Sequence, residues 1–376
     1  MQAGASAAPC RAGGARAFTQ SARAPRPSTL RARARAVRAS AAQALVGCKL
    51  AGVGSSVPST VLSNADLEAW VETSDEWIAS RTGIRRRHVL AEGETMGEHA
   101  VEASRRALEM AGVSAEEVNM VIMATSTPDD AFGGACQVQA ALGATGAVAF
   151  DLTAACSGFV LGLVTASQYV RTGMAKHVLV IGADAMSRVV DWRDRGTCIL
   201  FGDGCGAVLV SAAPDGAPCS LLGVDMHSDG RGQKSLHAMY SGCGGKPFQD
   251  GGAASTDASY GNVAMAGQEV FKFAVRSVPA VIDAALEQAG LAKEDVDWLV
   301  MHQANQRILD AAATRLGLPA ERVVSNLAEY GNTSAASIPL ALDEAVRGGK
   351  VKPGDVLAMA GFGAGLTWAG AIVRWG

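Results

Sequence analysis

Short apolar runs alternate along this chain with segments whose apolar residues recur every three or four positions. These are the signatures of buried strands and of packed helices. Residues 118–124, 147–152, 177–183, 201–211, 296–301, 356–360 and 370–374 are strand-like, and 49–56 adds a Gly-rich strand where the folded part begins. Helical periodicity marks 157–171, 268–289, 305–316 and 334–346, with a shorter stretch over 137–142. Thr95 with Glu98 three residues on is a capping box that opens one more helix, ending near Gly112. Gly317 closes the helix at 305–316, and Pro279 predicts a kink within 268–289. The segment 157–171 is apolar or small on nearly every side, which predicts a helix buried on all faces. Strands alternating with helices indicate an α/β fold with mainly parallel sheet.

The order of these elements repeats. Residues 111–123 (AGVSAEEVNMVIM) match 289–301 (AGLAKEDVDWLVM) at an offset of 178, and Val178-Leu179 falls on Val356-Leu357 at the same offset. Each match places a helix end, a loop or a strand start on its like, so the chain reads as two related α/β halves packed as pseudo-twofold mates. A Pro/Gly-containing linker at 212–220 separates them, and a Gly-rich, loop-like stretch covers 229–261. The expected division is 1–40 as a leader, 41–217 as one half and 218–376 as the other.

The leader changes the charge picture. It holds eight arginines, no acidic residue and no apolar core, and the first acidic residue anywhere is Asp66. That composition resembles an organelle transit peptide, with removal expected within 37–40, and not a secretory signal. A disordered basic arm is the alternative. The chain's formal charge is −3; without the leader's eight positive charges the remainder stands at about −11, which argues against nucleic acid as a partner. No apolar run approaches the ~18 residues of a membrane span. The eight cysteines show no C-x-x-C pair and the six histidines no H-E-x-x-H, so neither a disulfide framework nor a metal is expected.

Cys156 stands at the junction of the 147–152 strand and the helix that follows. A thiol in the first turn of a helix faces unpaired N–H groups and the positive dipole end, which lower its pKa. A packed core cysteine reads equally well from this stretch alone. Functional groups of parallel sheets gather at strand carboxyl ends, where His302 follows the strand ending at Met301. The repeat sets Asn332 opposite Cys156. A Cys/His/Asn site admits two mechanisms. His deprotonates Cys in a hydrolase, with Asn orienting it. In a carbon–carbon condensing site Cys carries an acyl group, while His and Asn donate hydrogen bonds to an enolate. The GFGAG segment at 361–365 would bring backbone N–H groups to the thiol in either case; a tight turn is its plainer reading.

Four motifs then make the chain resemble β-ketoacyl-acyl-carrier-protein synthase III of the thiolase superfamily: AACSGF (154–159), HQANQRI (302–308), YGNTSAAS (330–337) and GFGAGLTW (361–368). TSDEWI (73–78), RTGI (81–84), DRG (194–196) and FGDG (201–204) also match, so the resemblance spans about 47–376. It implies a thiolase-like fold with a layered α-β-α-β-α core. It also implies decarboxylative Claisen condensation of acetyl-CoA with malonyl-ACP to acetoacetyl-ACP, the start of type II fatty-acid synthesis. By that resemblance Cys156 is the acylated nucleophile, His302 and Asn332 stabilise the enolate, and the N–H groups of Cys156 and Ala364 form the oxyanion hole. Trp77, Arg81, Arg195, Gly267, Phe271 and Asn305 match CoA-contacting positions. Lys272 and Arg307 match contacts for the acidic carrier protein. Phe132 matches the residue a dimer partner lends to the acyl pocket. No cofactor or metal is implied, and the leader becomes a plastid (stromal) transit peptide. Two departures stand out: Ala364 where the family often has Gly, and a loop before Phe132 one residue shorter than in bacterial members. A plant-type polyketide synthase is the nearest alternative and a cysteine hydrolase a remote one.

Overall fold

The computed structural model describes residues 45–241 and 259–376. The basic leader and residues 242–258, the middle of the Gly-rich stretch, lie outside the described residues. Strands β1 (Cys48–Ser56), β2 (Met120–Ala124), β3 (Val148–Leu152), β4 (His177–Ala185) and β5 (Asp203–Ala212) form one sheet in the order β1-β5-β4-β2-β3. Strands β6 (Leu221–Ser228), β7 (Trp298–Met301), β8 (Val356–Gly363) and β9 (Thr367–Arg374) form a second, in the order β6-β9-β8-β7. In the first sheet only β5 runs against its companions, and in the second only β9. Both sheets are therefore mainly parallel, and the reversed strand takes the same place in each. The counterpart of β3 has shrunk to a single parallel bridge between Leu299 and Val323.

Helices of two turns or more are α1 (Asp75–Thr82), α2 (Met96–Ala111), α3 (Ala135–Leu142), α4 (Gly158–Arg171), α5 (Gly267–Ala289), α6 (Gln306–Leu316) and α7 (Ser337–Arg347). The Thr95/Glu98 capping box opens α2, and Gly112, in the left-handed region, closes it. Helix α5 runs on through Pro279.

Burial sorts these elements into layers. In β4, Val178 and Val180 face α4 and α7, whereas Leu179 and Ile181 face α2 and α3. In β8, Leu357 and Met359 join the same central cluster as Phe159, Leu163, Ile338 and Leu342, while Ala358 and Ala360 pack toward α5 and α6. Period-two strands with apolar residues on both faces follow from having helices on both sides. The result is an α-β-α-β-α sandwich with α4 and α7 as its middle layer. Only Gln168 of α4 is exposed.

The halves meet where side chains are absent. A Cβ on Gly182 of β4 would run into the Ala335 carbonyl, and one on Gly206 of β5 would lie 2.8 Å from the Leu340 nitrogen at the start of α7. Local periodicity reads some features differently. Strands β8 and β9 run to Gly363 and start at Thr367, because they pair as a hairpin that draws Gly361 and Gly363 into the ladder. Strand β3 is half-exposed, because it is the sheet's edge. Arg87, one of a run of exposed-looking basic residues, is fully buried, bonding Asn64 and the carbonyls of Leu62 and Ile199.

Gly182→Ala forces a methyl into a backbone carbonyl that cannot rotate away, so it should cost about 1–3 kcal/mol of stability by overpacking. Urea unfolding of the variant, compared with the parent chain, measures this.

Candidate active site

Cys156 occupies the middle of a 3₁₀ turn, Ala155–Ser157, between β3 and α4. Ala155 has φ 46°, a left-handed conformation that costs a residue with a Cβ about 1–3 kcal/mol. That bend turns the thiol away from the strand and toward the other half. There it meets Ser334, whose Oγ lies 3.4 Å from Sγ. Ser334 opens the matching 3₁₀ turn, Ser334–Ala336, and is the other described non-glycine residue with positive φ, at 50°. Strand β8 presses on the thiol from a third side. A Cβ at Gly363 would lie 3.2 Å from Cys156 Sγ and 3.0 Å from its nitrogen, and one at Gly361 would lie 2.9 Å from the Cys156 carbonyl.

Ala364 follows Gly363 in the turn to β9, so its N–H is one peptide bond from that contact. Its φ is not in the left-handed region, so the side chain found here in place of a hydrogen adds no backbone strain. Thr367 Oγ1, with one proton to donate, lies within hydrogen-bond distance of the carbonyls of both Ala364 and Ala154, which ties this turn to the thiol's.

His302 follows β7, and its N–H donates to the Ala360 carbonyl of β8 at 2.8 Å. Its ring stands edge-on to Phe362, with centroids 5.1 Å apart, and Nδ1 lies 3.1 Å from Ser337 Oγ. Burial pushes the imidazole down to about 3, so it is neutral at ordinary pH. Asn332 bonds through its backbone to Leu200 and Gly202. Its Oδ1 accepts the Ser334 N–H at 2.9 Å. A backbone N–H can only donate, so this bond settles which end of the carboxamide is oxygen and leaves Nδ2 as the donor end. Cys156, His302 and Asn332 thus converge through Ser334, Ser337 and β8.

One direction differs from the sequence-based expectation. Burial pushes the Cys156 thiol up to about 12, and the nearby Asp184 carboxyl adds to the rise. Desolvation outweighs the helix N-terminus, because Cys156 is buried.

A second cluster lies around α1 and α6. Arg195 stacks on the Trp77 ring at 4.8 Å, and Arg81 lies 5.6 Å from the same ring. Asn305 caps α6 by accepting the Arg307 N–H and donates to the Arg81 carbonyl, joining α6 to α1. Arg307 lies over Phe271, 5.5 Å from its centroid. Lys272 pairs with Glu269 at the exposed start of α5, whose first residue is Gly267. Phe132 stands wholly in solvent in the loop before α3. Periodicity and motif reading passed over Ser334, Ser337 and Asp184. The repeat offset could have revealed the first, since Ser334 lies 178 residues after Cys156.

Family models described as 3-oxoacyl-[acyl-carrier-protein (ACP)] synthase III and its C-terminal part match residues 150–230 and 286–375. A relative from Arabidopsis thaliana named beta-ketoacyl-[acyl-carrier-protein] synthase III, chloroplastic, is 57% identical over 88% of this chain and 83% of its own. The crystal structure of 3-oxoacyl-[acyl-carrier-protein] synthase III from Aquifex aeolicus is 45% identical, with TM-score 0.79 over 88% of this chain and all of that one. A priming beta-ketosynthase from the R1128 polyketide pathway is 39% identical, with TM-score 0.79 over 88% of this chain and 97% of that one.

The depressed His302 value carries a pH prediction. As pH falls from 6.5 toward 3 the unfolded chain takes up a proton that the folded site refuses, so this residue subtracts stability over that window and none above it. His302→Gln should lose that component. Unfolding curves at pH 7 and pH 5 should then differ less for the variant than for the parent chain.

Proposed function

From the chain's membership of the 3-oxoacyl-[acyl-carrier-protein] synthase III family, to which it plainly belongs, we propose that it condenses acetyl-CoA with malonyl-ACP to acetoacetyl-ACP and CO₂. One observation carries the assignment of roles. The Ser334 N–H holds Asn332 Oδ1, so Nδ2 can only donate, and the buried His302 is neutral. Two uncharged N–H donors suit an oxygen on which negative charge develops. A hydrolase would instead need His302 as a base, and an imidazole held near 3 is a poor one.

The first half-reaction forms the thioester on Cys156 and releases CoA thiol, with the N–H groups of Cys156 and Ala364 receiving the tetrahedral oxyanion. In the second, His302 Nε2–H and Asn332 Nδ2–H receive the thioester oxygen of malonyl-ACP as its carboxylate leaves. The carbanion attacks the acetyl carbonyl and Cys156 is regenerated. For Nε2 to donate, Nδ1 must accept from the Ser337 hydroxyl, which stands at the required distance. Every electron pair comes from substrate or thiol, so the scheme needs no cofactor or metal.

The Trp77/Arg195 stack, with Arg81 and Asn305 beside it, would receive the adenine and phosphates of CoA, with Gly267 and Phe271 on the facing helix. An entering base must lift the guanidinium from the indole by about one ring thickness, ~3.5 Å. Lys272 and Arg307 would meet the acidic carrier protein. Phe132, wholly exposed, and Val148, 61% exposed on the edge strand β3, are apolar surface that a second copy would cover, and we read the enzyme as a homodimer. The Arg-rich, acid-free leader and the chloroplastic relative support import into a plastid. The polyketide reading is the weaker: identity falls from 57% to 39% between the two kinds of relative.

Cys156→Ser should abolish the acetyl-enzyme seen by intact-protein mass spectrometry with acetyl-CoA. Asn332→Ala should still acylate but release CO₂ from malonyl-ACP about 10²–10³-fold more slowly, as for loss of one oxyanion donor. Normal condensation by that variant removes Asn332 from its role. Arg195→Ala should raise KM for acetyl-CoA and leave decarboxylation of malonyl-ACP unchanged.

A further inference from the structure

Two cysteines that take no part in the candidate site lie against each other. Cys48 opens β1, and Cys219 stands at the end of the linker that carries the chain into β6. Their Sγ atoms are 3.1 Å apart, although 171 residues separate them. Both are free thiols. Backbone bonds impose the contact. The Cys48 carbonyl accepts the Ser220 N–H at 2.6 Å, and the Ser220 carbonyl accepts the Arg374 N–H of β9 at 2.8 Å. Beside them the linker closes over Gly47, where a Cβ would lie 2.7 Å from the Ala217 carbonyl. The pair thus sits where the first strand, the linker and the last strand meet.

The two sulfurs differ in their surroundings. Cys48 is fully buried, whereas Cys219 is half-buried behind the exposed Pro218. When one proton is lost from the pair, burial keeps the remaining one on Cys48, whose S–H then donates to the Cys219 sulfur. That bond lowers the Cys219 thiol below its usual range and raises Cys48, and the charge of Arg171 at the end of α4 adds to the lowering. The buried thiols of Cys156, Cys198 and Cys205 are instead driven up by desolvation. Thiolate is the attacking form in disulfide exchange, so Cys219 is favoured over these three. A disulfide holds its sulfurs ~2.05 Å apart, so closing this contact asks for about 1 Å of movement.

We propose that Cys48 and Cys219 form a redox modification site, at which a small-molecule disulfide oxidises the pair to a stabilising cross-link and leaves Cys156 reduced. The Cys219 thiolate attacks one sulfur of the oxidant, whose S–S bond breaks and releases one thiolate. Cys48 then attacks the Cys219 sulfur of the mixed disulfide and expels the second thiolate. The proton from Cys48 and the one lost earlier from Cys219 end on the two released thiols. The protein loses two electrons and two protons, and one disulfide becomes two thiols. The cross-link does not crowd the candidate site. Cys48 lies opposite Ala212, beside the pairing of Ser211 with His177 at the amino end of β4. Cys156 follows the carboxyl end of β3, which runs parallel to β2 and β4, so it lies at the other end of the sheet.

The test is made on the full chain, reduced and then treated with glutathione disulfide. Peptide mapping by mass spectrometry should find the 48–219 cross-link, with Cys156 still a free thiol. Cys48→Ala should stop the reaction at a glutathione adduct on Cys219, and Cys219→Ser, a change at a half-buried position, should leave Cys48 unmodified. The cross-link closes a long loop in the unfolded chain, so the oxidised parent should melt about 5 °C higher than the reduced one. A dithiol should reverse that rise, and Cys219→Ser treated in the same way should not show it. Absence of the 48–219 cross-link while the exposed Cys136 takes up glutathione overturns the site. Glutathione on Cys156 at the dose that cross-links the pair overturns its selectivity, and glutathione on Cys48 in Cys219→Ser overturns the order of attack. A cross-linked chain that melts no higher than the reduced one overturns the stabilising role.

Discussion

Everything at the centre of this protein depends on two short turns pressing against each other. Ala155–Ser157 and Ser334–Ala336 each carry a non-glycine residue in the left-handed region, Ala155 at φ 46° and Ser334 at 50°, at matching places on the two halves. Such a backbone persists only where its surroundings over-determine it. Here they do. Gly182 and Gly206 let the second turn and its helix sink onto β4 and β5, and Gly361 and Gly363 let β8 close over the first. Asp184 pins the second turn through the Ala335 N–H, and Thr367 pins the first through the Ala154 carbonyl. The two turns thereby set the thiol against Ser334, whose N–H in turn holds the Asn332 carboxamide.

The same burial sets the electrical character of the site. It drives each ionisable group there toward its neutral form: Cys156 up, His302 down, Asp184 up. A site without standing charge does not stabilise an anionic ground state, such as malonyl carboxylate, more than the transition state that follows it. What remains are N–H dipoles whose positions are set beforehand, and these act most strongly where water is excluded. The middle α-layer matters for this reason: α4 and α7 are covered by a sheet on each side, so the turns at their N-termini are covered as well.

Much of this frame was legible in the order of residues. Strand runs, the capping box at Thr95 and the closing glycines are local properties, and β2, α2 and α6 begin and end close to where those signals put them. The internal repeat went further, since two halves related by a fixed offset must carry their turns to the same axis. What could not be read depends on contacts between distant segments. Strand β3 has the composition of a buried strand but lies at an edge, because edge or centre is decided by topology. The thiol shifts upward although its helix position favours thiolate, because burial desolvates it and the groups packed on it include β8 and the 334–336 turn, which are distant in sequence. Arg87 looks like its exposed neighbours until Asn64 and the Ile199 carbonyl are brought to it.

The choice of asparagine at 332 follows from the same geometry. The left-handed residue two positions on, Ser334, turns its N–H back toward the side chain, and that N–H demands an acceptor. A carboxylate would satisfy it but would bring negative charge to the point where the proposed mechanism forms an enolate. A hydroxyl could satisfy it but is too short to extend a second group toward the substrate. The carboxamide alone among small side chains accepts at one end and donates at the other without titrating. Its orientation is thus enforced by a backbone bond and is independent of pH. His302 reaches a comparable state by another route, neutral through burial and orientable through the Ser337 hydroxyl. In the proposed mechanism the two donors are matched in function though unlike in chemistry, and each would owe its donor to a serine of the same short segment, 334–337.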